Sequence, residues 1–176
     1  MKTLVLVFHP NLTASRANKL LAAEMEKHDN VTVHYMYEAY PNEKIDVVAE
    51  QHLLSAHDRI ILQFPFYWYS SPSLLKKWED EVLTYGWAFG SDGDKLKGKE
   101  LLIATTTGVD QVGYSAEGSV KYTVPELLRP FEATSNLIST KYLTPYVVYN
   151  AMQQPDEQLA EIAKDYVTYA LNPELI

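Results

Sequence analysis

The chain has no cysteine among its 176 residues, so neither disulfides nor thiolate metal ligands are available to it. Glycine is also sparse, with seven in all and none before Gly86. The glycine-built cradles for dinucleotides and triphosphates, G-x-G-x-x-G and G-x-x-x-x-G-K-[ST], are therefore missing after the first strand. No G-x-S-x-G elbow occurs, which removes the usual serine-hydrolase arrangement. His9, His28, His34, His52 and His57 include no i, i+4 pair, so no metal site is expected. No apolar run approaches the ~18 residues that cross a bilayer. The first residues lack the long apolar region and cleavage site of a signal peptide, and a cytoplasmic location is expected. The formal charge of −8 argues against nucleic acid as a partner.

What is present is a repeated strand and helix pattern in a chain that is 47% apolar. Its length suits a single domain over residues 1–176. Leu4–Phe8 is a continuous apolar run and Ile60–Phe64 is almost wholly apolar, the mark of strands covered on both faces. Pro65 cannot donate to a ladder and ends the second run. Val31–Met36 alternates and reads as a strand near an edge, Glu100–Thr105 as a fourth strand and Tyr142–Tyr149 as a fifth. Between them, Ala17, Leu20, Leu21 and Met25 mark a first helix, and Ile45, Val48, Ala49, Leu53 and Ala56 a second, with His52 on its packed face. Tyr37–Lys44 reads as a loop. Ser71 and Pro72 predict an N-cap and first position for a helix through Leu74, Leu75 and Trp78. Val124–Phe131 predicts a helix that Pro130 bends or divides, and Pro155 opens the last one. Five alternations predict an α/β flavodoxin-like three-layer sandwich around a five-stranded parallel sheet of order 2-1-3-4-5.

In that order the ligand crevice lies beyond the carboxyl ends of the central strands. The first loop leads through Thr13 to a helix start at Ser15, Arg16, Ala17 and Asn18. Free amides and the positive dipole end suit a phosphate there, while Thr13 or Ser15 could equally serve only as the N-cap. His9 ends the first strand at the crevice. After the third strand come Tyr67, Trp68 and Tyr69, which cannot all face one core because neighbouring side chains diverge. At least one should face the crevice, where a flat aromatic ligand is expected. Thr106, Thr107 and Gly108 offer hydroxyls and close backbone approach, or simply turn the chain. Tyr114 stands on a glycine-flanked loop.

Taken together, His9-Pro10, Ser15–Lys19, Gln63–Tyr69, Leu74–Trp78 and Thr106–Gly108 resemble the flavodoxin-like NAD(P)H:quinone oxidoreductases. Tyr37, Tyr40-Pro41, Ala49–Gln51, Gly86–Ala88 and Leu96–Lys99 add to the match, which is strong from Thr3 to Gly118. It is closest to the short bacterial branch, which includes the ancillary flavoproteins of glutathione-gated potassium efflux systems. The resemblance implies a non-covalent flavin with its phosphate at Ser15–Asn18 and His9 nearby, and a single phosphate site in a short chain makes FMN expected rather than FAD. It sets the ring system against Phe66, Tyr67, Trp68 and Tyr69, and its pyrimidine edge along Thr106, Thr107, Gly108 and Val109. Two departures stand out. Val109 replaces a second glycine, and the histidine that vertebrate members pair with the active-site tyrosine falls near Val120.

The implied chemistry is two-step hydride transfer from NAD(P)H through the flavin to a quinone, with Tyr114 bonding the quinone oxygen. Amides of Thr107–Val109 would stabilise negative charge on the cofactor. A homodimer is implied, and 13 tyrosines and 3 tryptophans exceed what one small core readily buries. Two alternatives remain open: a regulatory subunit on a membrane potassium-efflux transporter, peripheral to the inner face of the membrane, or a flavodoxin-type electron carrier.

Overall fold

The computed structural model describes residues 1–175. Five strand positions lie in parallel in the order 2-1-3-4-5, as the alternation predicts. Strand β1 (Thr3–Val7) pairs with β2 (Val31–Tyr35) on one side and with β3 (Arg59–Pro65) on the other. Strand β4 (Glu100–Thr106) follows β3. The outer position beside β4 is filled by two short strands, β5 (Lys141–Tyr142) and β6 (Tyr146–Val148).

Sequence alone suggests one fifth strand, and Pro145 explains its division. Lys141 and Leu143 donate their amides to the carbonyls of Lys99 and Leu101 at 2.8 Å each. In a parallel ladder the next donor on this strand is residue 145, and proline has no N–H to give. Pairing resumes at Tyr146, opposite Ala104.

Alternate residues of the sheet feed two cores. Val5, Val7, Ile61, Leu102 and Ala104 pack against α1 (Arg16–Met25) and α7 (Asp156–Ala170). Leu4, Leu6, Ile60, Leu62, Phe64 and Ile103 face α3 (Val47–Ala56), α4 (Ser73–Val82) and the pair α5 (Val124–Leu127) and α6 (Arg129–Leu137). The central strands are buried throughout, which is why β1 is wholly apolar and β3 largely so between Arg59 and Pro65. Leu128 separates α5 from α6, with Pro130 at the start of the second piece.

Three local expectations are revised. The chain from Met36 to Ala39 forms a short helix, α2, rather than strand and loop. Helix α4 begins one residue later than Ser71-Pro72 suggests: Pro72 is its N-cap, and the Leu74 amide reaches the Tyr37 hydroxyl at 3.4 Å. Helix α3 turns a different face inward. Glu50 and Leu54 are buried and, of the expected face, Ile45 and Leu53 pack partly buried against the core, whereas Val48, Ala49, His52 and Ala56 are exposed.

The rotation of α3 has a polar cause. Glu50 accepts from His34 at 2.9 Å, from the Tyr40 hydroxyl at 2.7 Å and from the Trp78 indole at 2.9 Å. Three donors supplied by β2, the segment after α2, and α4 make a buried carboxylate stable where an apolar face was expected.

Candidate active site

The carboxyl ends of β1, β3 and β4 open into a cavity of about 560 Å³. Its first wall is the start of α1, with Ser15, Arg16, Ala17 and Asn18. The Ser15 hydroxyl caps the helix by accepting from the Asn18 amide at 3.1 Å. Of the roles considered for this loop, Ser15 fills that of cap, and the amides of Arg16 and Ala17 remain unpaired among the described residues. Those amides and the positive end of α1 make an anion cradle.

Arg16 does something the sequence did not reveal. Its guanidinium pairs with Asp156 and donates to the carbonyls of Met152 at 3.3 Å and Gln154 at 2.9 Å. The side chain ties the segment before α7 over the helix start, and Ala151 and Met152 become part of the cavity wall. Asn18 is likewise engaged: it is buried, and its side-chain amide donates to the Thr106 hydroxyl at 2.9 Å.

His9 lines the cavity and accepts the Asn11 amide on Nδ1 at 3.1 Å. A backbone amide can only donate, so the imidazole carries its proton on Nε2. Burial lowers its pKa below the ordinary value, favouring this neutral form.

Phe66 and Tyr67 form the aromatic wall. Tyr67 meets His9 edge to face, with ring centroids 6.4 Å apart. Trp68 and Tyr69 do not line the cavity. They occupy the two central positions of a tight turn with φ of 49° and 62°, closed by the Ser70 amide on the Tyr67 carbonyl at 3.0 Å. Such left-handed backbone is costly for large side chains, and Trp68 is left 90% exposed.

The third wall is Thr106, Thr107 and Gly108. The Thr107 amide is not available to a ligand, because it donates to the Val148 carbonyl at 2.9 Å. The amides of Gly108 and Val109 are unpaired among the described residues, so the expected donor set narrows to those two. Val109 itself does not line the cavity: its Cγ1 occupies the space a side chain at Gly113 would need, 2.2 Å from an ideal Cβ there.

Tyr114 is buried beside the cavity, its ring 6.1 Å from those of both Phe66 and Tyr149. Its hydroxyl makes no hydrogen bond among the described residues, and burial, with Tyr69 and Tyr149 adding to it, raises its pKa. Sequence reasoning missed Asn11, Ala14, Pro65, Ala151 and Met152 in the cavity wall. The first three belong to loops already singled out. Ala151 and Met152 carry no local signal, since only the pairing of β6 with β4 brings them there.

A parallel sheet of order 2-1-3-4-5 with one cavity at the carboxyl ends of its central strands defines the flavodoxin-like class of protein. The chain belongs to the family described as having the flavodoxin-like fold, whose model matches residues 1–170. It is 53% identical over 173 residues to general stress protein 14 of Bacillus subtilis, spanning 98% of this chain and 99% of the relative. A protein named as an uncharacterized NAD(P)H oxidoreductase of the same organism is 47% identical over 96% of this chain and 97% of its own. KefG, the ancillary protein of a glutathione-regulated potassium-efflux system in Salmonella paratyphi B, is 41% identical over 98% of this chain and 94% of its own.

Solved structures agree on the architecture. General stress protein 14 of Treponema denticola, in complex with FMN, superposes with a TM-score of 0.93 at 41% identity, covering 97% of this chain and 98% of that one. An NADPH-quinone reductase from P. pentosaceus gives 0.88 at 40% identity, covering 98% and 99%. A chain described as a thermophilic tryptophan halogenase gives 0.94 at 50% identity, covering 96% and 98%. These names differ in activity, while the fold is common to all.

Proposed function

We propose that this chain is an FMN-dependent NAD(P)H:quinone oxidoreductase. The observation that carries the reading is the single cavity that joins the unpaired Arg16 and Ala17 amides, the Phe66–Tyr67 wall and the unpaired Gly108 amide. A phosphate, a flat ring system and its polar edge require those three surfaces. The lining includes no aspartate or glutamate, so the cradle stays receptive to an anion although the whole chain is acidic.

In this reading the Arg16 and Ala17 amides hold the phosphate, Phe66 and Tyr67 flank the ring system, and the amide of Gly108 faces its electron-rich edge. The flavin supplies hydride exchange, chemistry that the side chains here lack. NAD(P)H, a proton and a quinone are consumed, and NAD(P)+ and a hydroquinone are formed. In this reading Tyr114, whose ring packs against Phe66 of the cavity wall, donates to the quinone oxygen as charge develops there. His9, neutral with its proton on Nε2, adds a donor without adding charge.

The reading includes one domain, a homodimer and a cytoplasmic location. Exposed Trp68, Tyr85 and Tyr122 support an assembly, since aromatics are enriched at interfaces. No helix among the described residues is long and apolar enough to cross a membrane. The similarity to KefG over nearly the whole chain supports a second reading, attachment to a potassium-efflux transporter, which co-purification with that transporter would establish.

The test of the main reading is the absorbance spectrum of the purified protein, its bleaching by NADPH and its recovery with a quinone. Heat release and mass measurement identify the cofactor. A dominant FAD fraction would overturn FMN, and a protein that never bleaches with NADPH or NADH would overturn the activity.

A further inference from the structure

The polar side chains beneath the cavity form one chain whose donor directions follow from a single contact. Gln63, on β3, is fully buried, and its Nε2 lies 2.9 Å from the backbone carbonyl of Asn18. A carbonyl oxygen only accepts, so the Gln63 amide must present its NH2 group there. Its Oε1 then faces the buried Tyr166 hydroxyl, which donates at 3.4 Å. The same NH2 group lies 3.5 Å from Asn18 Oδ1. A reversed Asn18 amide would set NH2 against NH2, so Asn18 turns Nδ2 toward Thr106 Oγ1, at 2.9 Å.

Thr106 is therefore an acceptor in this pair, and its own hydroxyl hydrogen meets no acceptor among the described residues. Its neighbours differ. Thr105 donates to the Phe64 carbonyl at 2.9 Å and Thr107 to the Val109 carbonyl at 2.7 Å. Of these three threonines, only Thr106 keeps a free hydroxyl hydrogen, and it lines the cavity.

We propose that Gln63, a positioning residue that does not itself line the cavity, sets Thr106 as a hydrogen-bond donor to an acceptor oxygen of the bound flavin mononucleotide. The inference rests on the FMN reading above. Gln63 acts by fixing the Asn18 amide; without it that amide is free to turn Oδ1 toward Thr106 and capture the proton.

Fluorescence titration of the cofactor-free protein with FMN tests this, with the melting temperature of each cofactor-free variant measured in parallel. Thr106→Val should weaken FMN about tenfold, the effect of losing one hydrogen bond of ordinary strength. Thr106→Ser, which keeps the hydroxyl, should stay within about threefold of wild type. Gln63→Met should weaken FMN in the wild-type background and change nothing further in the Thr106→Val background, because its effect passes through that hydroxyl. Where Gln63→Met does not fold, the two Thr106 variants decide the donor by themselves. Wild-type affinity in Thr106→Val, or an equal Gln63→Met penalty in both backgrounds, would overturn the proposal. Failure of the wild-type protein to bind FMN would instead overturn the function proposed above.

Discussion

The indole N–H of Trp78 donates to Oε2 of Glu50 at 2.9 Å, joining α4 to α3 in the interior. Glu50 is fully buried, and its other oxygen accepts from His34 and Tyr40. Glu50→Ala leaves three donors without an acceptor and should destabilise the fold by about 3–5 kcal/mol, as removing one side of a buried charged cluster does. Urea unfolding measures this, and a loss below about 1 kcal/mol would show the donors finding other partners.

The same carboxyl predicts an acid response. Burial pushes its pKa up, but bonds from His34, Tyr40 and Trp78 outweigh that and hold it below the ordinary 4.5. A depressed folded pKa contributes stability above the unfolded value and loses it as pH falls through the folded one. The wild-type unfolding midpoint should therefore drop as pH falls below 4.5, and Glu50→Gln should flatten that drop.

Glu79 has the opposite sign. Burial raises its pKa from 4.5 to about 7, with Lys76 only partly offsetting it. The folded state then holds a proton that the unfolded state has released, so stability falls as pH rises between 4.5 and about 7. Glu79→Gln should remove this slope and, allowing for partial exposure, gain about 1–2 kcal/mol at pH 8. Midpoints at pH 5 and pH 8 check it; equal values for the two proteins at both would show the carboxyl to be unperturbed.

Trp68 stores strain at the edge of the site, with a φ of 49° and little burial to compensate. Trp68→Asn should raise stability by about 1 kcal/mol, since asparagine accepts left-handed backbone. Quinone turnover should fall in the same variant, because strain retained at an exposed ring marks a working position. Reduced stability would instead show that Trp68 packs.

Tyr114→Phe separates packing from chemistry. Phenylalanine keeps the contacts with Phe66 and Tyr149, so FMN affinity should hardly change. Loss of one bond to developing charge should slow re-oxidation by quinone about ten- to a hundredfold. Reduction by NADPH should change less. Stopped-flow measurement of both half-reactions gives the answer, and an unchanged quinone rate would retire the catalytic role.

Much of this was legible in the residues. The runs Leu4–Phe8 and Ile60–Phe64 announced covered parallel strands, because burial on both faces leaves no place for polar alternation. The break at Pro145 was not legible in the sequence, where Tyr142–Tyr149 reads as one strand; it emerged only with the ladder beside it. His9, Ser15, Phe66 and Thr106, expected at one edge because a doubly wound sheet opens its crevice there, do line one cavity.

Other features had no signal along the chain. Helix α3 packs on Glu50 because His34, Tyr40 and Trp78 converge on it from separate elements. Arg16 and Asn18 looked like ligand donors but are engaged by Met152, Gln154, Asp156 and Thr106, all far along the sequence. Periodicity and turn chemistry, which are local, determined the elements and their order. The tertiary structure decided which polar groups remain free to meet a ligand, because a donor's availability depends on every acceptor that folding brings within reach.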